Sequence, residues 1–307
     1  MSPTLNICPL LDPSFPDELL LSTIENLRFK SADANNNNNN NIYSVVALSQ
    51  THRHLASLVR TYERSITKSI VDRELWHAPR DFPCAEEKRG YAWLKYCIDG
   101  YDTIDAIMKR LTDPGNCVGV EKHNMASAYD GMLLLYQTSS LATVPEIHAL
   151  LVTLPLSSLT SLYLATHHAL LTARYHNAPS LVHQSTYGRQ MDASTFSLRQ
   201  DMSLAFCETC LLDGPEFIYK MLEDTPPCTR EVALLNAFGE VVGREWGVDG
   251  EDVDERVGGN ANANVPVVEG PARKEGGASV WMALVKRLEE LFGVKGQGAV
   301  EECVFGR

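Results

Sequence analysis

Residues 15–27 read FPDELLLSTIENL, and this stretch defines the first helix of the chain. Pro16 suits the first position of a helix, because its missing N–H would have no partner there and its φ is already helical. The two acidic residues that follow lie at the positive end of the helix dipole. Leu20, Ile24 and Leu27 are spaced i, i+4 and i+7 and therefore share one face. The stretch predicts an amphipathic helix that buries this face.

A second apolar pattern with helical spacing runs from residue 42 to residue 59. Its members are Val45, Leu48, His52, Leu55 and either Leu58 or Val59. A low-complexity run of seven asparagines, Asn35 to Asn41, lengthens the link between the two patterns. The entropy of closing a loop grows slowly with its length, so this polar insert is compatible with a helical motif.

The two patterns together, over residues 14–62, resemble the F-box. The matching features are Pro-Asp-Glu-Leu-Leu at 16–20, then Leu48-Ser49, then Arg53 and Leu55. Two departures stand out. Phe15 replaces the leucine that usually opens the motif, and Thr51 and His52 stand near where the family often has a tryptophan.

The resemblance implies an adaptor that binds a Skp1-like protein within a cullin-type ubiquitin ligase and holds an unknown protein client near the conjugating enzyme. Such an adaptor is not an enzyme and uses no cofactor. The residues implied to contact the Skp1-like partner are Phe15, Pro16, Leu19, Leu20, Ile24, Leu27, Val45, Leu48 and Leu55. The alternative is a non-ligase interaction or scaffold protein whose F-box-like hairpin belongs to its own core.

The rest of the chain also favours helices, since apolar residues recur at three- and four-residue spacings and β-branched alternation is scarce. Prolines and Pro-Gly turns separate the segments. The predicted helices cover residues 62–75, about 86–111, 124–137, 144–154, 159–175, 192–213, 215–223 and 230–246. We predict an all-α fold in which an irregular helical body, residues 63–246, binds the client.

Residues 247–279 are rich in Gly, Asn and acidic side chains, and they hold almost nothing apolar larger than valine. Such a composition predicts a disordered linker, because too little surface is buried to offset the ordering entropy. Residues 280–292 then predict a C-terminal amphipathic helix. That helix is expected to pack on the body or to bind in the groove of a partner.

The middle of the chain resembles a group of uncharacterised filamentous-fungal proteins that begin with an F-box-like segment. The stretches that carry this likeness are residues 93–97, 131–136, 167–176, 187–189 and 214–217. The likeness implies a helical fold and no chemistry.

Two polar groups in the body are candidate sites. His168, Arg174, His176 and Arg189 form a candidate client pocket, whose alternative is a set of buried, hydrogen-bonded histidines. Cys207 and Cys210 form a CxxC, with Cys228 and His183 elsewhere. Because structural zinc needs four ligands and no second knuckle is present, these cysteines are expected to be core thiols and not a metal site.

The formal net charge of −12 argues against nucleic-acid binding, which needs a basic surface. Residues 246–270 alone hold six acidic side chains and one basic side chain. No signal peptide, membrane span or hydrolase motif is expected. The eight cysteines are too sparse for a disulfide scaffold, so reduced thiols in the cytoplasm or nucleus are expected.

Overall fold

The structure, a computed structural model, describes residues 16–27, 44–175, 193–223, 227–246 and 279–306. These residues form helices and no β-strand, so the prediction of an all-α fold is confirmed. Two 3-10 turns, Glu86–Lys88 and Lys122–Asn124, join the set. The α-helices are α1 Asp17–Glu25, α2 Ser44–Thr51, α3 Arg53–Thr61, α4 Glu63–Glu74, α5 Ala78–Asp81, α6 Tyr91–Leu111, α7 Met125–Ser139, α8 Val144–Thr153, α9 Leu156–Tyr175, α10 Ala193–Asp213, α11 Pro215–Leu222, α12 Pro227–Trp246, α13 Val280–Phe292 and α14 Gln297–Phe305.

The chain divides into two compact units, Met1–Asp99 and Gly100–Arg307, with the boundary inside α6. The first unit includes α4 beyond the predicted F-box-like motif, residues 14–62, because α4 packs against α1 and α3 and shares their core. In the first unit, Leu20 and Ile24 of α1 and Ile66 and Ile70 of α4 are all buried.

The second apolar pattern, predicted over residues 42–59, is formed by two helices, α2 and α3. His52 separates α2 from α3 with an extended backbone, φ −152° and ψ 141°. Its Nδ1 atom accepts a hydrogen bond from the backbone N–H of His54 at 3.2 Å, which caps the start of α3. The break lets α2 and α3 pack against each other as neighbours.

The second unit is built around the crossing of α7 and α9. Gly131 lies at this crossing, where a Cβ atom would stand 2.2 Å from the carbonyl oxygen of Ser161 and 2.6 Å from Cβ of Ala165. The absence of a side chain at residue 131 therefore sets how closely the two helix backbones approach.

Replacing Gly131 by alanine is expected to lower the free energy of unfolding by about 1–3 kcal/mol, because the helices must move apart to admit a methyl group beside a backbone oxygen. Chemical denaturation measures the loss. The control is Gly239→Ala in α12, where the added Cβ meets nothing within 4 Å. That change should stabilise by about 0.5–1 kcal/mol, since alanine favours a helix over glycine. Equal effects at the two positions would contradict the tight crossing.

The C-terminal amphipathic helix lies where the sequence predicted it, at Val280–Phe292, and it packs on the second unit against α8, α9 and α10. Of the two expected arrangements, packing on the body is therefore the one observed. A further helix, α14, follows it and was not predicted. Of the predicted linker, only Ser279 lies within the described residues, as the N-cap of α13.

Candidate functional site

The residues implied to contact a Skp1-like partner divide into two groups in the structure. Four of them lie inside the first unit's own core: Leu20, Ile24, Val45 and Leu55. Their side chains are covered by other helices of the same unit, because the apolar face of α1 packs toward α3 and α4. An interpretation in which all nine residues meet a partner is therefore too broad.

The exposed members of that set are Pro16 and Leu19, and Leu19 has 54% of its surface open to solvent. Leu27 and Leu48 are half-buried. Phe15 lies outside the described residues. Val46, outside the implied set, is a further exposed apolar residue on α2. A docking face on the F-box-like helices would therefore begin at Leu19.

Polar contacts hold both ends of α1 on the unit. At its start, Oδ1 of Asp17 lies 3.0 Å from Nε2 of His54. At its end, the Arg73 guanidinium donates to the carbonyl oxygens of Glu25 at 2.5 Å and Leu27 at 2.7 Å. The last carbonyls of a helix have no intrahelical partner and carry its negative dipole end, so a cation there stabilises the helix. These contacts keep Leu19 on the outer side of α1.

A groove of about 570 Å³ on the first unit was not predicted from the sequence. It is lined by Arg64, Thr67, Lys68, Val71, Asp72, Pro79, Glu86, Glu87, Arg89 and Trp93. Arg89 lies over the Trp93 ring at 5.6 Å, and Arg64 donates to the carbonyl oxygen of Glu87 at 3.1 Å. The three basic and three acidic side chains give the lining a formal net charge of zero, so its net charge favours neither an anionic nor a cationic ligand. Its parts come from α4, α5, the 3-10 turn Glu86–Lys88 with Arg89 after it, and α6, and no local motif joins them.

The candidate client pocket in the second unit is not an open pocket where the structure describes it. His168 is buried, and its Nδ1 lies 3.2 Å from the carbonyl oxygen of Val118. The Phe305 ring packs on it from α14, with ring centroids 5.4 Å apart. Arg174 hydrogen-bonds to the hydroxyl of Ser203. His176 and Arg189 lie outside the described residues. The part that is described matches the alternative of buried, partnered histidines.

His167 continues this packed cluster. Its ring stacks on Tyr163 at 5.7 Å and contacts Phe305 at 5.2 Å, and its Nε2 lies 3.4 Å from Oε1 of Glu301. Burial raises the pKa of the Tyr163 hydroxyl, and the negative charge of Glu301 raises it further. The C-terminal helices α13 and α14 thus cover this aromatic face of α9.

Cys207 and Cys210 are both buried on α10. Burial in an apolar environment disfavours the thiolate and raises the pKa of each thiol, and the neighbouring Cys207 raises the pKa of Cys210 further. Among the residues the structure describes, no group of three or more His, Cys, Asp or Glu is arranged to hold a metal ion. Cys228 and His183 lie outside the described side chains. The two cysteines are core thiols.

Within the described part of the chain, no helix combines the length and apolar character needed to cross a bilayer. Comparisons with protein-family models, with curated proteins and with solved structures find no match for this chain. What the geometry defines is an all-α protein with two compact units. Its function is argued below from the contacts of its own residues.

Proposed function

We propose that the chain is an F-box-type adaptor that binds a Skp1-like protein through its first three helices and so joins a cullin-type ubiquitin ligase. The observation that carries the proposal is the position of Leu19. It follows the Pro-Asp-Glu opening, lies mostly exposed, and stands on a helix whose opposite face is already packed. An apolar residue presented in this way is available to a partner without any rearrangement of α1.

Docking through this face would bury Leu19, with Pro16 and Val46 as exposed neighbours in the motif. Full burial of a leucine side chain contributes about 1.5–3 kcal/mol. The adaptor itself makes no covalent bond. It raises the effective concentration of the client near the conjugating enzyme, and the client remains a protein of unknown identity.

The test is co-purification of a Skp1-like protein with the full chain and with Leu19→Asp. Recovery should fall by about tenfold to a hundredfold, because a charged side chain would replace an apolar one at the centre of the interface. The matched control is Val152→Asp on α8, another exposed apolar position, which should leave recovery unchanged. Circular dichroism should match the wild type for both variants. Undiminished recovery of the partner with Leu19→Asp would contradict the proposal.

A second candidate is a non-ligase scaffold protein in which the F-box-like helices belong to the chain's own core. What favours it is the burial of Leu20, Ile24, Val45 and Leu55 within the first unit. This candidate requires no Skp1-like partner, so the wild-type chain should recover none. Substitutions at Leu20 or Ile24 would not separate the two candidates, because they unfold the motif in either case.

A further inference from the structure

The first turn of α13 is held by a carboxylate from another helix. Glu208 of α10 is 6% exposed and accepts three hydrogen bonds, from Oγ of Ser279 at 2.8 Å and from the backbone N–H groups of Val280 at 3.0 Å and Trp281 at 2.7 Å. Ser279 in turn accepts from the N–H of Met282 at 3.2 Å. The first N–H groups of a helix lack intrahelical partners and form its positive end. Glu208 and Ser279 together therefore accept from the first three N–H groups of α13.

Besides these hydrogen bonds, α13 packs on a stack of aromatic side chains. Trp281 is 1% exposed and stacks on Tyr163, with ring centroids 5.1 Å apart. Tyr163 stacks on His167, and Phe305 of α14 closes the stack. The helices α13 and α14 contact each other, so they cover the face of α9 as a pair.

The surface on which α13 packs, called its seat below, also buries polar atoms that have no hydrogen-bond partner. In the described residues such side-chain atoms include Nε2 of His148 on α8 and, on α13, Nε1 of Trp281 and Nε of Arg287. Each buried atom without a partner costs about 1–3 kcal/mol.

The indole Nε1 of Trp281 and Nε of Arg287 would be hydrated if α13 left the surface on which it packs. Their burial opposes the apolar burial of α13, whereas the hydrogen bonds to Glu208 stabilise the packed helix. Hydrogen bonds to a charged group stabilise by about 1.5–3 kcal/mol, more than neutral ones.

We propose that α13 and α14 form a detachable latch, closed by Glu208, whose release uncovers the aromatic face of α9. The latch opens while the α7–α9 crossing stays intact. This device lies wholly in the second unit and does not depend on the F-box-type function. When the latch is closed, α13 and α14 cover the Tyr163 and His167 face.

Amide hydrogen exchange of the full chain tests the latch. In the wild type at low denaturant, the amides of α13 should exchange through an opening of lower free energy than those of α7. In Glu208→Gln, which removes the charge at nearly constant shape, exchange at α13 should rise by about tenfold to a hundredfold while α7 is unchanged. The control is Glu63→Gln in the first unit. The Glu63 carboxylate accepts from the backbone N–H of Tyr91 at 2.7 Å, and its loss should leave exchange at α13 unchanged.

If Glu208→Gln does not fold, Ser279→Ala replaces it, because that change removes one of the three donors and should raise exchange at α13 by a smaller factor. Equal opening free energies for α13 and α7 in the wild type would overturn the proposal. So would a variant in which exchange at both helices rises together, or one in which α13 is unaffected.

Discussion

Replacing Ile24 by aspartate is expected to unfold the first unit. Ile24 is 1% exposed on the face of α1 that packs toward α4. The change loses about 1.5–3 kcal/mol of apolar burial and adds the cost of a carboxylate that has no partner there. A combined loss above about 4 kcal/mol is a large part of the 5–15 kcal/mol that stabilises a typical domain.

Hydrogen exchange should show this loss as unprotected amides in α1 and α4, with α7 and α9 of the second unit still protected. The matched control is Leu19→Asp, five positions earlier on the same helix, whose side chain is 54% exposed. That variant should keep the protection of the wild type. If Ile24→Asp also kept it, α1 would not be packed on α4 as the structure has it.

This pair of variants also decides how a binding experiment is interpreted. Loss of a Skp1-like partner from Ile24→Asp would report unfolding and would say nothing about the interface. Loss of the partner from Leu19→Asp, with the fold retained, would report the contact itself. The exposed leucine, and not the buried isoleucine, is therefore the position that tests the proposed function.

Replacing Trp281 by alanine is expected to remove about 3–5 kcal/mol from the packing of α13 on the second unit. The indole is almost fully buried and stacks on Tyr163, so its removal leaves a large cavity at the seat. The loss should lie toward the lower end of that range, because the change also eliminates the indole Nε1, a buried donor without a partner.

Chemical denaturation, with hydrogen exchange at α13, measures this loss. The control is Met282→Ala, the next residue along the same helix, which is 53% exposed. Its effect should stay within about 0.5 kcal/mol, as for most surface substitutions. Similar losses of stability in the two variants would mean that the face of α13 that carries Trp281 is not buried. If the amides of α13 were as protected in Trp281→Ala as in the wild type, Trp281 would not be the residue that holds α13 on the second unit.

Most helices could be predicted from the sequence because their signals are local. Apolar spacing and proline breaks located α7, α8, α11 and α13 to within a few residues of their observed bounds. The break at His52 could not be predicted in this way, because the apolar spacing continues through it. What ends α2 there is a backbone conformation and a side-chain cap, and neither alters the pattern of apolar residues.

The candidate sites show a different limit. The apolar face of α1 was evident from its spacing, but the same spacing serves a helix that packs on its own chain and one that packs on a partner. Only the packing of α4 on α1 shows that Leu20 and Ile24 are already covered. For His168, likewise, the sequence shows which polar residues are close along the chain. Its burial under Phe305 depends on a helix more than a hundred residues later.

The sequence by itself determined that this protein is all-α, where most helices lie, and that its first helix carries an F-box-like opening. These properties depend on residues within a few turns of one another. Only the tertiary structure decided that Leu19 is an exposed leucine of α1, that Gly131 sets the α7–α9 distance, and that Glu208 caps α13. Glu208 and Ser279 are 71 residues apart, and a contact over that distance leaves no periodic trace in the chain. The physical reason is that helix formation is local, while the choice of which face is buried depends on what packs against it.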